Sequence, residues 1–238
     1  MLRRSEDAHV DALFEAAPEC GAPLVRALFP RSLIDPNRAE TELDPVLFGP
    51  QAHAIAGKVT PRAAAGLGLI ARLAGEGALI YDGMIPLSEA GERLNRYYRP
   101  YHAALSAELA AARTAFGSSV LIDCHSMPSA SARGADIVLG DRFGASCAPS
   151  ITASAERLFR TEGLKVVRNR PYAGGFTTEH HGCPAEDRHA LQIEINRALY
   201  MHERTLERTA SFDALKASIT RVIAQLVGTG AEMVQAAE

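Results

Sequence analysis

An apolar run, Ser119-Val120-Leu121-Ile122, ends abruptly in Asp123-Cys124-His125-Ser126, and Pro128 then stops any regular structure. An acid, a thiol, an imidazole and a hydroxyl in succession are groups that can bind a metal, move a proton or attack a carbonyl. In open α/β sheets ligands sit outside the carboxyl ends of the strands, which is where Asp123, His125 and Ser126 fall. A second stretch, Leu191-Gln192-Ile193-Glu194-Ile195-Asn196, alternates strictly, so Gln192, Glu194 and Asn196 share one face of a strand. Glu194 has the chemistry of a general base, although a solvent-facing edge strand shows the same pattern. Cys124 beside His125 invites a cysteine-hydrolase reading. Neighbours on a strand point to opposite faces, however, which separates the thiol from its base.

These side chains need elements to position them. Ser5 can cap a helix whose first turn holds Glu6 and Asp7, and Val10, Leu13, Phe14 and Ala17 supply its apolar stripe, so a helix is expected from Ser5 to Ala17. Ala22 to Phe29 reads as a short strand and Asp35-Pro36-Asn37-Arg38 as a polar turn. From Ser88, apolar residues recur at steps of three and four through Leu94, Tyr98, Tyr101, Leu105, Leu109, Ala112 and Phe116, a long helix that Pro100 should kink. Short strands follow at Asp136 to Leu139 and Lys165 to Val167, with a helix at Ser150 to Arg160 between them. Pro171-Tyr172-Ala173-Gly174-Gly175 reads as a loop, and a last helix spans Phe212 to Val227 ahead of a fraying tail. Helices alternating with short apolar strands argue for an α/β layered fold.

Composition narrows the function classes. The chain has 238 residues, 47% of them apolar, and a net charge of −3 with no basic run, which argues for a sizeable core and against a nucleic-acid partner. Anionic substrates would have to be caught by local arginines. No segment approaches the ~20 apolar residues of a membrane span, and Met1 to Asp7 runs into acids instead of a signal peptide's apolar core. Four cysteines without CxxC spacing make no disulfide scaffold, so a cytoplasmic location is expected.

Five segments, taken in order, resemble one family. Arg4-Ser5-Glu6-Asp7-Ala8-His9-Val10-Asp11, Asp35-Pro36-Asn37-Arg38, Asp123-Cys124-His125-Ser126-Met127, Tyr172-Ala173-Gly174-Gly175 and Leu191-Gln192-Ile193-Glu194-Ile195-Asn196-Arg197 are similar to the N-formylglutamate amidohydrolases over nearly the whole chain. That family is similar in fold to the zinc carboxypeptidases. The resemblance therefore implies a single domain over residues 1–238, a three-layer α/β/α sandwich with a mixed, mainly parallel sheet and zinc at the carboxyl ends of its strands. It implies Glu6 and His125 as zinc ligands, Glu194 as the catalytic carboxylate, and Asn37 with Arg38 holding a substrate carboxylate. Arg142 or Arg197 would complete that clamp, and Asp123 would orient a ligand from behind. The implied reaction is zinc-dependent hydrolysis of N-formyl-L-glutamate, or a similar N-acyl amino acid, to formate and L-glutamate, the last step of a histidine degradation route.

One feature of the family pattern is missing. A Pro-His-Ser-Gly turn, whose His is the first zinc ligand, should precede the carboxylate ligand, yet Glu6 stands five residues from Met1. The chain is expected to lack its first strand and to hold zinc weakly. His9, at i+3 from Glu6 on the expected helix, is one replacement, and His180 and His181 beside the glycine loop are others. Two alternatives keep the fold without the reaction. One is a metal-free descendant that binds carboxylates, and the other is an interaction protein in which these groups do not converge.

Overall fold

Strict alternation builds the centre of the fold. The computed structural model describes residues 2–56, 59–74 and 77–235. In chain order the helices are α1 (Val10–Leu13), α2 (Pro45–Phe48), α3 (Gln51–Ala56), α4 (Pro61–Ala64), α5 (Leu87–Arg93), α6 (Arg99–Phe116), α7 (Ser129–Ala132), α8 (Pro149–Thr161), α9 (Phe176–His181) and α10 (Phe212–Gln235), and the strands are β1 (Ser119–Met127), β2 (Ile137–Gly140), β3 (Val166–Arg168) and β4 (Arg188–Asn196). The chain divides into two compact units, one of Met1–Glu6 with Ala27–Leu105, the other of Asp7–Arg26 with Ser106–Glu238.

The second unit contains the sheet, in the order β1-β4-β2-β3. β1 and β4 are parallel, β2 and β3 are parallel, and β2 runs antiparallel to β4, which makes the sheet mixed and mainly parallel. Period-two alternation divides it into two unlike faces. Ile137, Leu139, Leu191, Ile193 and Ile195 form an apolar face, buried with Leu13 and Phe14 near α1, Leu158 and Phe159 of α8, and Leu215, Ile219 and Val222 of α10. The other face takes the loop before α9, whose Ala173 and Gly174 backbone lies 2.7 Å from where a Cβ on Gly140 would stand. α9 itself packs on β4 and β1.

The first unit is made of short helices and turns around Ile34, Leu43, Leu47, Leu69 and Ile70, all buried. Asp44 caps α2 by accepting from the Val46 N–H at 2.8 Å and pairs with Arg72 at 2.7 Å.

Four sequence expectations need correction. Ser5 to Ala17 is not one helix: Leu2–Ser5 is a 3-10 turn, and His9 takes a left-handed backbone (φ 64) just before α1. The His9 ring is pulled to the far end of the chain, with Nε2 2.8 Å from the Leu206 carbonyl and Nδ1 accepting from Arg208, and this outweighs a short segment's helix propensity. Ala22 to Phe29 joins no strand ladder, since alternation makes a strand only where a neighbour offers hydrogen bonds. The long helix does run from Leu87 to Phe116, but Pro100 follows a π-helical stretch, Leu94–Tyr98, in which Arg99 N–H reaches back to Leu94. Its apolar stripe is buried only as far as Leu105, and Phe116 is 57% exposed. The last helix continues to Gln235 where a fraying tail was expected, and residues 236–238 lie outside the described residues.

This division of the apolar residues is testable. Phe159→Ala, at a fully buried position, should lower the unfolding free energy by about 3–5 kcal/mol. Phe116→Ala should stay within about 0.5 kcal/mol. Urea denaturation of both variants checks the contrast.

Candidate active site

In the parallel ladder, Asp123 lies opposite Gln192 and His125 opposite Glu194. Paired residues of neighbouring strands project to the same side, so these four polar side chains form one block on the sheet face that the aliphatic residues leave. All but His125 are buried below a tenth of their surface. Gln192 Nε2 donates to Glu194 Oε1 at 2.9 Å. Asp123 Oδ1 stands 3.0 Å from His125 Nε2. Cys124 points to the other face among the core residues, and burial, reinforced by the Asp123 charge, pushes its thiol well above the usual range, which removes it as a nucleophile.

The other ring nitrogen of His125 meets a residue that the sequence reading passed over. His125 Nδ1 is 3.0 Å from Asp7 Oδ2. Asp7 Oδ1 accepts from the backbone N–H and the hydroxyl of Ser126, both at 3.0 Å. Ser126 Oγ in turn accepts from Arg197 Nε at 3.0 Å, and Arg197 Nη2 is 3.6 Å from Asp7. Beneath them Tyr200, fully buried, donates its hydroxyl to the Ala8 carbonyl at 3.0 Å, and burial pushes its phenol up to about 12. Glu6 and Asp7 are adjacent acids where the sequence pattern reads as a first turn, so that pattern does not choose between them.

The remaining predicted residues divide by location. Within the second unit, Arg197 donates to Ser126 and faces Asp7, and Arg142 pairs with Glu179 at 3.0 Å. His181 of α9 is buried, while His180 is exposed and stacks on Phe176. Within the first unit, Glu6 lies 4.0 Å from Arg3. Asn37 and Arg38 form the expected turn, built on Asp35, which accepts from the Asn37 N–H at 2.9 Å and from Arg31 at 2.8 Å. Arg38 is 9% exposed and gives Nε to the Leu67 carbonyl at 3.1 Å and Nη1 to the Asn37 carbonyl at 2.8 Å. Burial lowers its pKa against the raising effect of Asp35. Among the tyrosines of the long helix, Tyr98 turns its hydroxyl to the Arg38 carbonyl at 2.7 Å. Among the described residues no helix is long and apolar enough to cross a membrane.

The model of the N-formylglutamate amidohydrolase family matches residues 1–201. The chain belongs to this family. It is 31% identical to the N-formylglutamate deformylase of Pseudomonas aeruginosa, over 95% of this chain and 83% of that protein. To the N-formylglutamate deformylase of Pseudomonas putida it is 34% identical, over 83% of this chain and 71% of that one. The crystal structure of the N-formylglutamate amidohydrolase from Ralstonia eutropha superposes with a TM-score of 0.88 at 38% identity, covering 100% of this chain and 86% of that one. An Agrobacterium tumefaciens protein shares the fold, at a TM-score of 0.66 and 19% identity over 98% of this chain and 79% of that one.

Two ligands held ~2.0–2.2 Å from a tetrahedral zinc stand roughly 3.3 Å apart. Asp7 Oδ2 and His125 Nδ1, at 3.0 Å, have the right chemistry and nearly that separation. Asp123, on the opposite nitrogen, supplies the carboxylate that commonly orients a metal-bound histidine, and its position behind the ring keeps it from sharing the same ion. The pair thus fits two corners of a zinc site. Among the described residues no group of three His, Cys, Asp or Glu side chains is arranged to hold a metal.

Without metal, the His125 ring lies between two carboxylates. Burial pulls its pKa down, and Asp123 and Asp7 together outweigh this and hold it well above 6.5. A pKa raised on folding contributes stability that is complete below the unfolded value and is lost as pH rises through the folded one. The urea midpoint of chelator-treated protein should therefore fall as pH is raised from 6.5. His125→Asn should flatten that dependence, and equal slopes in the two proteins would refute the assignment.

Proposed function

We propose that this chain hydrolyses the formyl amide of an N-formyl amino acid, with N-formyl-L-glutamate as the first candidate, to formate and the free amino acid. The reading is supported by membership of the family and by the names of the relatives. The observation that carries it is the register of β1 and β4, which sets buried Glu194 beside His125. In the cell this reaction would close a histidine degradation route.

Glu194 takes the proton from the attacking water and returns it to the departing amine as the carbon–nitrogen bond breaks. Gln192, donating at 2.9 Å, limits rotation of that carboxylate. Zinc is the proposed metal, with His125 Nδ1 and Asp7 as the groups that would hold it. The resemblance implies Glu6 as the carboxylate ligand, and Asp7 is proposed beside it on its own contact with His125 Nδ1. A zinc ion bound there supplies Lewis-acid activation of water and of the formyl carbonyl. Asp123 keeps the ring oriented, and Arg197 with Ser126 keeps Asp7 in place. Arg142 serves the substrate's carboxylates, and the family resemblance adds Asn37 and Arg38 to that task.

Three expected outcomes test this reading. Glu194→Gln should lower kcat by ~10²–10⁴-fold without changing bound zinc. Among the described residues Asp7 and His125 supply two of the three protein contacts usual in catalytic zinc sites, so zinc should be lost on dialysis and formate release should be slow unless the ion is supplied in excess. Asp7→Asn should abolish the zinc dependence of formate release, whereas Glu6→Gln should retain it. The opposite result would return the ligand role to Glu6. A second reading, a module that binds carboxylates and does not hydrolyse them, is favoured by the lack of a three-residue metal group among the described residues. Saturable binding of N-formyl-L-glutamate with no formate release in excess zinc would support it.

A further inference from the structure

Where β2 leaves the sheet, the chain adopts a conformation that its residues disfavour. Arg142 and Phe143 are consecutive left-handed residues (φ 52 and 58), and neither is glycine. Such strain persists only where the surroundings over-determine it, and it concentrates at functional positions. Here the surroundings are specific. Asn169, itself left-handed (φ 58), donates Nδ2 to Asp141 Oδ1 at 2.7 Å and accepts from the Asp141 N–H at 3.1 Å and the Phe143 N–H at 3.4 Å. Asp141 Oδ1 also accepts from the Gly144 N–H at 3.2 Å, and the Arg142 N–H donates to the Ala173 carbonyl at 2.7 Å.

The side chain of Arg142 has been given a path. A Cβ on Gly174 would stand 2.9 Å from Arg142 Cγ and 2.5 Å from Thr178 Oγ1, so only glycine lets the arginine stem pass. The guanidinium emerges beside Glu179 at 3.0 Å, with side chains 32% and 60% exposed. An ion pair this exposed contributes little to stability and does not account for a strained and braced turn. The turn also leaves Phe143 75% exposed. It lies two residues past Gly140, which pairs with Gln192, the donor to Glu194.

We propose that Arg142 is a subsite for the side-chain carboxylate of an acidic N-formyl amino acid, aimed by the Asp141–Asn169 brace and occupied by the Glu179 carboxylate, which such a substrate displaces. The inference rests on the proposed function and adds the origin of selectivity for acidic over neutral substrates. Glu179 is a competing anion that raises the threshold for binding, so removing its charge and removing Arg142 should have opposite effects.

The test is calorimetric binding of N-formyl-L-glutamate and of N-formyl-L-leucine to the intact chain and to variants whose folding is verified by thermal denaturation. The quantity read is the ratio of the two affinities, which a merely structural role would leave unchanged. Arg142→Ala should reduce the preference for the glutamate compound by roughly 10–100-fold, with Arg142→Lys between the two. Glu179→Gln should increase it by roughly 2–5-fold. Asn169→Gly, which keeps the left-handed backbone and removes the brace, should lower the preference part of the way towards Arg142→Ala. Equal losses for both compounds in Arg142→Ala, or a reduced preference in Glu179→Gln, would overturn the subsite alone. No saturable binding of N-formyl-L-glutamate to the unaltered chain would overturn both the subsite and the proposed function.

Discussion

Each nitrogen of the His125 ring faces a carboxylate, Asp7 on one side and Asp123 on the other, and much of the second unit is arranged so that this can happen. Asp123 comes from the same strand, two residues back, where alternation returns the side chain to the same face. Asp7 comes from a segment far away in sequence, secured by α1 and its Val10 and Leu13 in the apolar core. Ser126 and Arg197 then hold Asp7 from behind. Attraction to the two carboxylates outweighs the cost of burying the His125 ring, so the cluster stabilises the fold as well as fixing its parts. It is well explained as a site that holds ring and carboxylate in one orientation.

The sheet makes that site by giving its two faces opposite tasks. Aliphatic residues of β2 and β4 bury one face against α1, α8 and α10, which supplies the hydrophobic stabilisation. The opposite face is thereby free to place Asp123, His125, Gln192 and Glu194 side by side. A slip of one residue in either strand would turn that strand's pair of these groups towards the core, so the apolar face also protects the register of the polar one. Gly140 and Gly174 bring the loop before α9 down onto the same face, and with it the braced Arg142.

In the first unit, the Asn37-Arg38 turn shows how local chemistry can account for a motif. Asp35 accepts from the Asn37 N–H and from Arg31, and the guanidinium of Arg38 spans the Leu67 and Asn37 carbonyls. Burial alone would raise the Asp35 carboxyl, but Arg31 and Arg38 outweigh it and keep its pKa below the usual value. The turn is therefore held by its own hydrogen bonds and ion pairs.

Much of this protein was legible in its sequence because the signals were local. Period-two alternation marked β4, an apolar run marked β1, and five separated motifs in one order identified the family, with a mixed, mainly parallel α/β sheet that the structure contains. The neighbourhood of Glu194 with His125 was only implied, since a strand pattern says which face a residue occupies and not which strand lies next to it. The expected first helix failed for a related reason. His9 is drawn to Leu206 and Arg208, almost two hundred residues away, and no window around Ser5 contains that information. The same distance hid Asp7. Its neighbour Glu6 has the same charge, and the contact of Asp7 with His125 and Ser126 of β1 belongs to the fold and not to the local sequence. Local residue types thus determined the strands, the candidate acids and bases and the family; tertiary structure alone decided which acid meets which base, because that choice depends on contacts between segments distant in the chain.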